Sequence, residues 1–286
     1  MRVLARRLLE RLVLLALAGV LGATLVRFAP GFSADEREAD PRLSAESIQS
    51  IRDERAREGD LPRFYWRYFS GLARGDFGVS QALNRPVRSL VAERVPVTLR
   101  AAGFGLLAGW LAGLAAALAF SLPRLRGLAP AGTVASGMLL SLPEAVLALA
   151  FVFFGGTVKW AIALVVFPRV YRYAKNLLAR IGEAPHVLAA HARGLGPVAV
   201  LSRHILPVAA PELLALAGIS VSVAVGASIP IEVMCDSPGI GQLAWHAALG
   251  RDLPVLVTLT LLVTAITLMA NTASDVAAGL SGAGRT

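Results

Sequence analysis

The chain has 286 residues, is 56% hydrophobic and only 16% charged, and carries a net charge of +9. So little polar surface excludes an ordinary soluble domain of this length, and an aromatic content of 7% leaves the apolar excess to Leu, Ala, Val and Gly, which suits closely packed helices in lipid. The basic residues sit beside apolar runs and do not gather into one patch, which excludes a nucleic-acid binder and fits the positive-inside pattern.

Residues 1–28 are read as an N-terminal transmembrane helix: the apolar run 12–26 follows Arg2, Arg6, Arg7 and Arg11. A signal peptide has the same basic start and apolar core, with small residues near Gly22 and Ala23, but the later spans favour a retained helix. Residues 29–95 change character, being rich in charge of both signs, with a helix-like stretch at 44–58 and an aromatic run from Phe64 to Phe69. Such a run with Arg67 within it suits base stacking or the interfacial belt, and beside a membrane the belt is the commoner role.

Residues 96–286 are expected to form a core of five further spans. The stretches 101–122, 213–231 and 253–270 are apolar and long enough to cross. Residues 128–154 read as another span interrupted by Pro143 and Glu144, which places Glu144 about mid-span. In 157–181 the apolar part is short, and Arg169, Arg172 and Lys175 then recur on one stripe from which they would reach lipid headgroups. The expected protein is all-α, with about six transmembrane helices, 29–95 outside and both termini in the cytoplasm of a bacterial inner membrane.

The chemistry-bearing motifs are mostly negative findings. The single Cys235 excludes an internal disulfide or thiolate metal site, and His186, His191, His204 and His246 form no paired ligand motif, so no metal is expected. Neither GxSxG, HExxH nor GxxxxGK[ST] occurs, so the chain is not expected to be an enzyme or to hydrolyse ATP. The positive signal is the cytoplasmic stretch 183–207. There Glu183 suits a helix N-terminal dipole, Pro185 a first turn, Ala189, Ala190 and Ala192 a small-residue surface, and Gly194 a left-handed stop beside Arg193. A short helix locked by a glycine turn on the inner face suits a docking partner better than it suits a plain linker.

The run Ala189, Ala190, His191, Ala192, Arg193, Gly194, Leu195, followed by Arg203, His204, Leu206 and Pro207, resembles the cytoplasmic EAA loop of ABC importer permeases. Here Leu188 stands where that loop has Glu, and His204 where it has Ile. Other segments resemble the dipeptide and oligopeptide branch in the same order along the chain. These are Gly75, Asp76, Gly78 and Ser80 with Pro86 and Arg94 to Leu99; Glu232, Pro238, Gly239 and Gly241; Asp252 and Pro254; and Asn271 with Asp275. Of these, Glu232 is expected to make a structural hydrogen bond at the outer end of its span.

The resemblance implies a type I ABC importer permease fold with a cytoplasmic coupling helix. It also implies a second permease subunit, two cytoplasmic ABC ATPases that consume the ATP, an extracytoplasmic solute-binding protein, and no cofactor in this chain. Three departures stand out: Glu144 replaces a small polar residue, the 155–159 turn is short, and the terminal Asp-Pro-Arg of that branch is absent. Glu144 is therefore expected either to line the translocation pathway and meet a cationic group, or to be protonated or paired with the partner permease. A divergent scaffold that binds the same partners without moving solute is the alternative function.

Overall fold

Apart from a lone antiparallel bridge between Val79 and Pro86, the regular structure of the described residues is helical. The computed structural model describes residues 74–121 and 125–283, together with Ser70–Leu72 and the isolated positions Val13, Leu17, Val20, Leu21 and Thr24. Most of the N-terminal helix expected over 1–28, the 44–58 stretch and the Phe64–Phe69 run lie outside them.

The helices are α1 (Val87–Ala119), α2 (Ala129–Ser141), α3 (Glu144–Phe153), α4 (Val158–Gly182), α5 (Pro185–Ala192), α6 (Pro197–Val200), α7 (Leu206–Met234), α8 (Ile240–Leu249) and α9 (Leu253–Ala283). A π-helical turn, Leu201–Ile205, joins α6 to α7. Val87–Ala119, Pro197–Met234 and Leu253–Gly279 are each long and apolar enough to cross a membrane. α2 and α3 meet that test only together, and a bend of 100° separates them. The stretch 128–154 is therefore a pair of short helices broken at Pro143 and Glu144, where the interruption is expected. Pro143, which has no N–H to donate, sits at the break, and Glu144 opens α3.

α4 matches the stretch expected over 157–181, and despite its charges Ala161, Ile162, Val165, Val166, Val170 and Tyr171 are all buried. The expected headgroup stripe is mostly turned inward: Lys175 Nζ donates to Thr133 Oγ1 on α2, and Arg169 faces Glu144 on α3, leaving Arg172 exposed.

The chain divides into two compact units, Met1–Arg94 with Leu243–Ala265, and Val95–Gln242 with Ile266–Thr286. In the second, α4 packs on α2, α3 and α7, and α7 also packs on α3. α1 and α4 approach each other closely. A Cβ at Gly105 would fall 2.7 Å from Ile162, one at Gly109 2.8 Å from the Ala163 carbonyl, and one at Gly113 2.9 Å from Val170. Small residues at every fourth position let two helices touch backbone to backbone, which matters in lipid because dispersion, and not water exclusion, holds helices together. In the first unit, Val87, Leu90, Leu243, Leu253, Val255 and Val257 are buried.

Candidate functional site

The expected coupling loop is built from the end of α4. Glu183 caps the C-terminus of α4 and does not serve the start of α5, whose first turn holds no acid and opens on Pro185. α5 has two faces. Val187 and Ala190, three residues apart, are buried among Leu177, Ile181, Val200 and Ala209. Leu188, Ala189, His191, Ala192 and Arg193 are exposed. The small-residue surface expected at Ala189, Ala190 and Ala192 is thus divided, with Ala190 rooting the helix and the other two outward. Gly194 stops α5 at φ +76, where its N–H bonds the His191 carbonyl at 2.9 Å and the Leu195 N–H bonds the Ala190 carbonyl at 3.3 Å. That is the left-handed closure a side chain disfavours. Leu195 is half-buried against the same core.

Beneath the loop, Arg180 Nη2 donates to both carboxylate oxygens of Glu212, at 2.7 and 2.6 Å, and Tyr173 Oη donates to the same group at 3.3 Å. These bonds tie the last turns of α4 to the start of α7, the two helices from which the loop leaves and into which it returns.

A second cluster surrounds Glu232, which is fully buried. Its Oε2 accepts the Gly241 N–H at 2.7 Å, while Thr98 Oγ1 accepts the Ile240 N–H at 2.9 Å. The Thr98 hydroxyl and the Gln242 amide also face the carboxylate. The free N–H groups at the start of α8 are therefore satisfied from α7 and α1, in place of a local cap. Gly239 and Gly241 are required by this closeness. A Cβ on Gly239 would overlap the Glu232 carboxylate, and one on Gly241 would lie 2.6 Å from Ile229 Cα. Pro238 precedes them in the turn.

The third cluster joins the segment of Gly75, Asp76, Gly78 and Ser80 to that of Asp252 and Pro254. Gly75 and Gly78 both take positive φ, and Asp76 Oδ1 accepts the Gly78 N–H at 2.9 Å. Ser80 Oγ then donates to Asp252 Oδ2 at 2.5 Å, and the Ala82 N–H reaches the same oxygen at 3.2 Å. Pro254 lies under Gly78. Asn271 is half-buried and Asp275 exposed on α9.

Glu144 is half-exposed, with Oε1 3.4 Å from Arg169 Nη2. Within its own chain Glu144 thus has Arg169 as a cationic neighbour. The sequence reading missed this pairing and the glycine row of α1, although a spacing of four between Gly105, Gly109 and Gly113 is visible in the sequence. No cluster of His, Cys, Asp and Glu able to hold a metal ion occurs among the described residues.

A family model described as a binding-protein-dependent transport system inner membrane component matches residues 105–284. The oligopeptide transport system permease protein OppB of Escherichia coli is 29% identical over 93% of this chain and 93% of its own length. A probable peptide ABC transporter permease protein of Sinorhizobium fredii is 25% identical over 95% of each chain. The glutathione transport system permease protein GsiC of Salmonella paratyphi A is 25% identical over 95% of this chain and 94% of its own. Among solved structures, a chain of the MetNI methionine ABC transporter in an inward-facing conformation superposes with a TM-score of 0.62 at 20% identity. The match covers 68% of this chain and 97% of that one, and shows a shared fold.

Proposed function

The chain belongs to the family of binding-protein-dependent transport system inner membrane components, as a multi-pass permease subunit of an ABC importer, and from that premise we infer that it carries peptides or similar small solutes inward. The solute class is supported by the names of relatives that align over nearly the whole chain. Nothing in the comparisons supports the non-transporting scaffold.

The observation that carries the mechanism is the two-faced helix α5. Val187 and Ala190 anchor it to Leu177, Ile181 and Ala209 of α4 and α7, so a displacement of α5 is passed to those helices. Its outward face offers Leu188, Ala189, Ala192 and Arg193 to a groove of a cytoplasmic ATPase, where Arg193 pairs with an acidic residue. Closure of the two ATPases on ATP then moves the spans as rigid bodies. The chain pairs with a second permease to enclose the pathway, and an extracytoplasmic binding protein delivers the solute. ATP is consumed by the partner subunits; this chain needs no cofactor and does no covalent chemistry. The Arg residues of the N-terminal stretch and of the 169–206 segment support a topology with α5 and both termini on the cytoplasmic side.

The test is ATP-driven uptake of labelled di- and tripeptides by vesicles holding the assembled importer, comparing Gly194→Asp with the unaltered chain. Aspartate tolerates the left-handed region better than most residues, so the variant inserts at normal abundance. Uptake and co-purification of the ATPase are lost. Normal uptake by this variant would overturn the assignment of the loop.

A further inference from the structure

With 25 residues α4 is long enough to cross the hydrocarbon core, and the break between α2 and α3 lies against its middle, where Glu144 meets Arg169. α2 rises from Ala129 for 13 residues, about 20 Å at 1.5 Å per residue. Arg169 lies about 16 Å along α4 from its opposite end at Val158. Ser141, Leu142 and Pro143 are exposed at this level, and the Ser141 hydroxyl turns back on the Met138 carbonyl at 2.7 Å. Irregular backbone at such depth is tolerated only inside protein or beside water.

The same level holds two charges. Glu144 and Arg169 are 31% and 38% exposed and 3.4 Å apart, and Arg169 Nη1 also donates to the Val165 carbonyl at 2.7 Å. A half-open ion pair facing hydrocarbon would be expensive, whereas one facing a wet cavity is not. Glu144 also opens α3.

We propose that the Ser141–Glu144 break and Arg169 line the aqueous solute path, and that the pair reads a zwitterionic solute, Glu144 taking its ammonium end and Arg169 its carboxylate. The proposal rests on the importer function inferred above. Exchange of one neutral pair for two leaves no charge uncompensated at any stage. The guanidinium fork suits a carboxylate, and the 3.4 Å contact, longer than a charge-assisted hydrogen bond, parts as the two ends enter.

Two measurements on the assembled importer in proteoliposomes test this. In a Cys235→Ser background, Ser141→Cys leaves the ion pair intact and is expected to react with the impermeant reagent methanethiosulfonate ethylsulfonate. No reaction with or without ATP overturns the aqueous lining, whatever the solute. In the second, uptake of labelled trialanine is compared with that of its N-acetylated and C-amidated forms. Glu144→Gln is expected to lower uptake of the unblocked peptide about tenfold or more, as for one lost charge-assisted bond, and to abolish its preference over the N-acetylated form. Arg169→Gln does the same relative to the C-amidated form. Equal loss for all three peptides, or no loss, overturns the reading role. If the unaltered importer takes up none of them, the peptide function fails instead, and labelling at Ser141 alone decides the lining.

Discussion

Asp252 accepts the Ser80 hydroxyl at 2.5 Å across 172 residues of sequence, with both side chains buried. The carboxylate precedes α9, and its other oxygen faces the Val255 N–H at 3.4 Å. One side chain thus closes the first turn of a membrane helix and holds the loop that leads into α1.

Replacing Asp252 by Ala removes the cap and strands the Ser80 hydroxyl and the Ala82 N–H. The expected loss is about 2–4 kcal/mol, from a helix cap and a buried hydrogen-bond pair. Asp252→Asn keeps an acceptor oxygen and should lose less. Thermal unfolding of purified protein in mild detergent, followed by tryptophan fluorescence, checks both; an Ala variant melting with the unaltered chain would refute the clasp.

Gly239 and Gly226 give a matched contrast. An alanine methyl at 239 would enter the space of the Glu232 carboxylate, whereas nothing lies within 4 Å of the corresponding position at 226 inside α7. Gly239→Ala must displace Glu232 from the start of α8, and a sharp fall in membrane abundance is expected. Gly226→Ala should be neutral or stabilise by about 0.5–1 kcal/mol through helix propensity. Quantitative immunoblotting of membranes separates the two.

The row Gly105, Gly109 and Gly113 makes a graded prediction. Alanine at 109 would press on the Ala163 carbonyl and Val166 at 2.8 Å, so α1 must back away from α4. About 1–3 kcal/mol is expected for such overpacking, with leucine worse than alanine. Gly103, with open space around it, should accept alanine. Detergent melting of the three variants tests the order.

Much of the fold is legible because α1, α7 and α9 are continuous apolar runs, for which length and composition suffice. The extent of α4 is legible too, since 157–181 matches Val158–Gly182, but the setting of its charges is not, and the reason is tertiary. Arg169 and Lys175 read as surface charges until Glu144 and Thr133 arrive from other helices to meet them. Pro143 announced an interruption, but no local rule gives its 100° change of direction. In the coupling loop, Gly194 as the helix stop follows from residue type alone. The inward turn of Ala190 follows only once Val187 is known to be buried, since the pair then defines the core-facing side by its spacing of three.

That division of α5 makes the last prediction. Leu188 is 58% exposed and Ala190 is 2% exposed, two positions apart on one short helix. Leu188→Asp removes an apolar contact offered outward, so the isolated chain should keep its melting temperature, within about 0.5 kcal/mol of stability. Binding of the ATPase should weaken at least about tenfold, since burying a leucine contributes roughly 1.5–3 kcal/mol. Ala190→Leu does the reverse: it forces a larger side chain between α5 and Leu177, Ile181 and Ala209, losing about 1–3 kcal/mol of stability before any partner is present. Detergent melting of the isolated chain and ATPase co-purification, measured on both variants, should therefore move in opposite order. If Leu188→Asp bound the ATPase as well as the unaltered chain did, the outward face of α5 would not be the docking face.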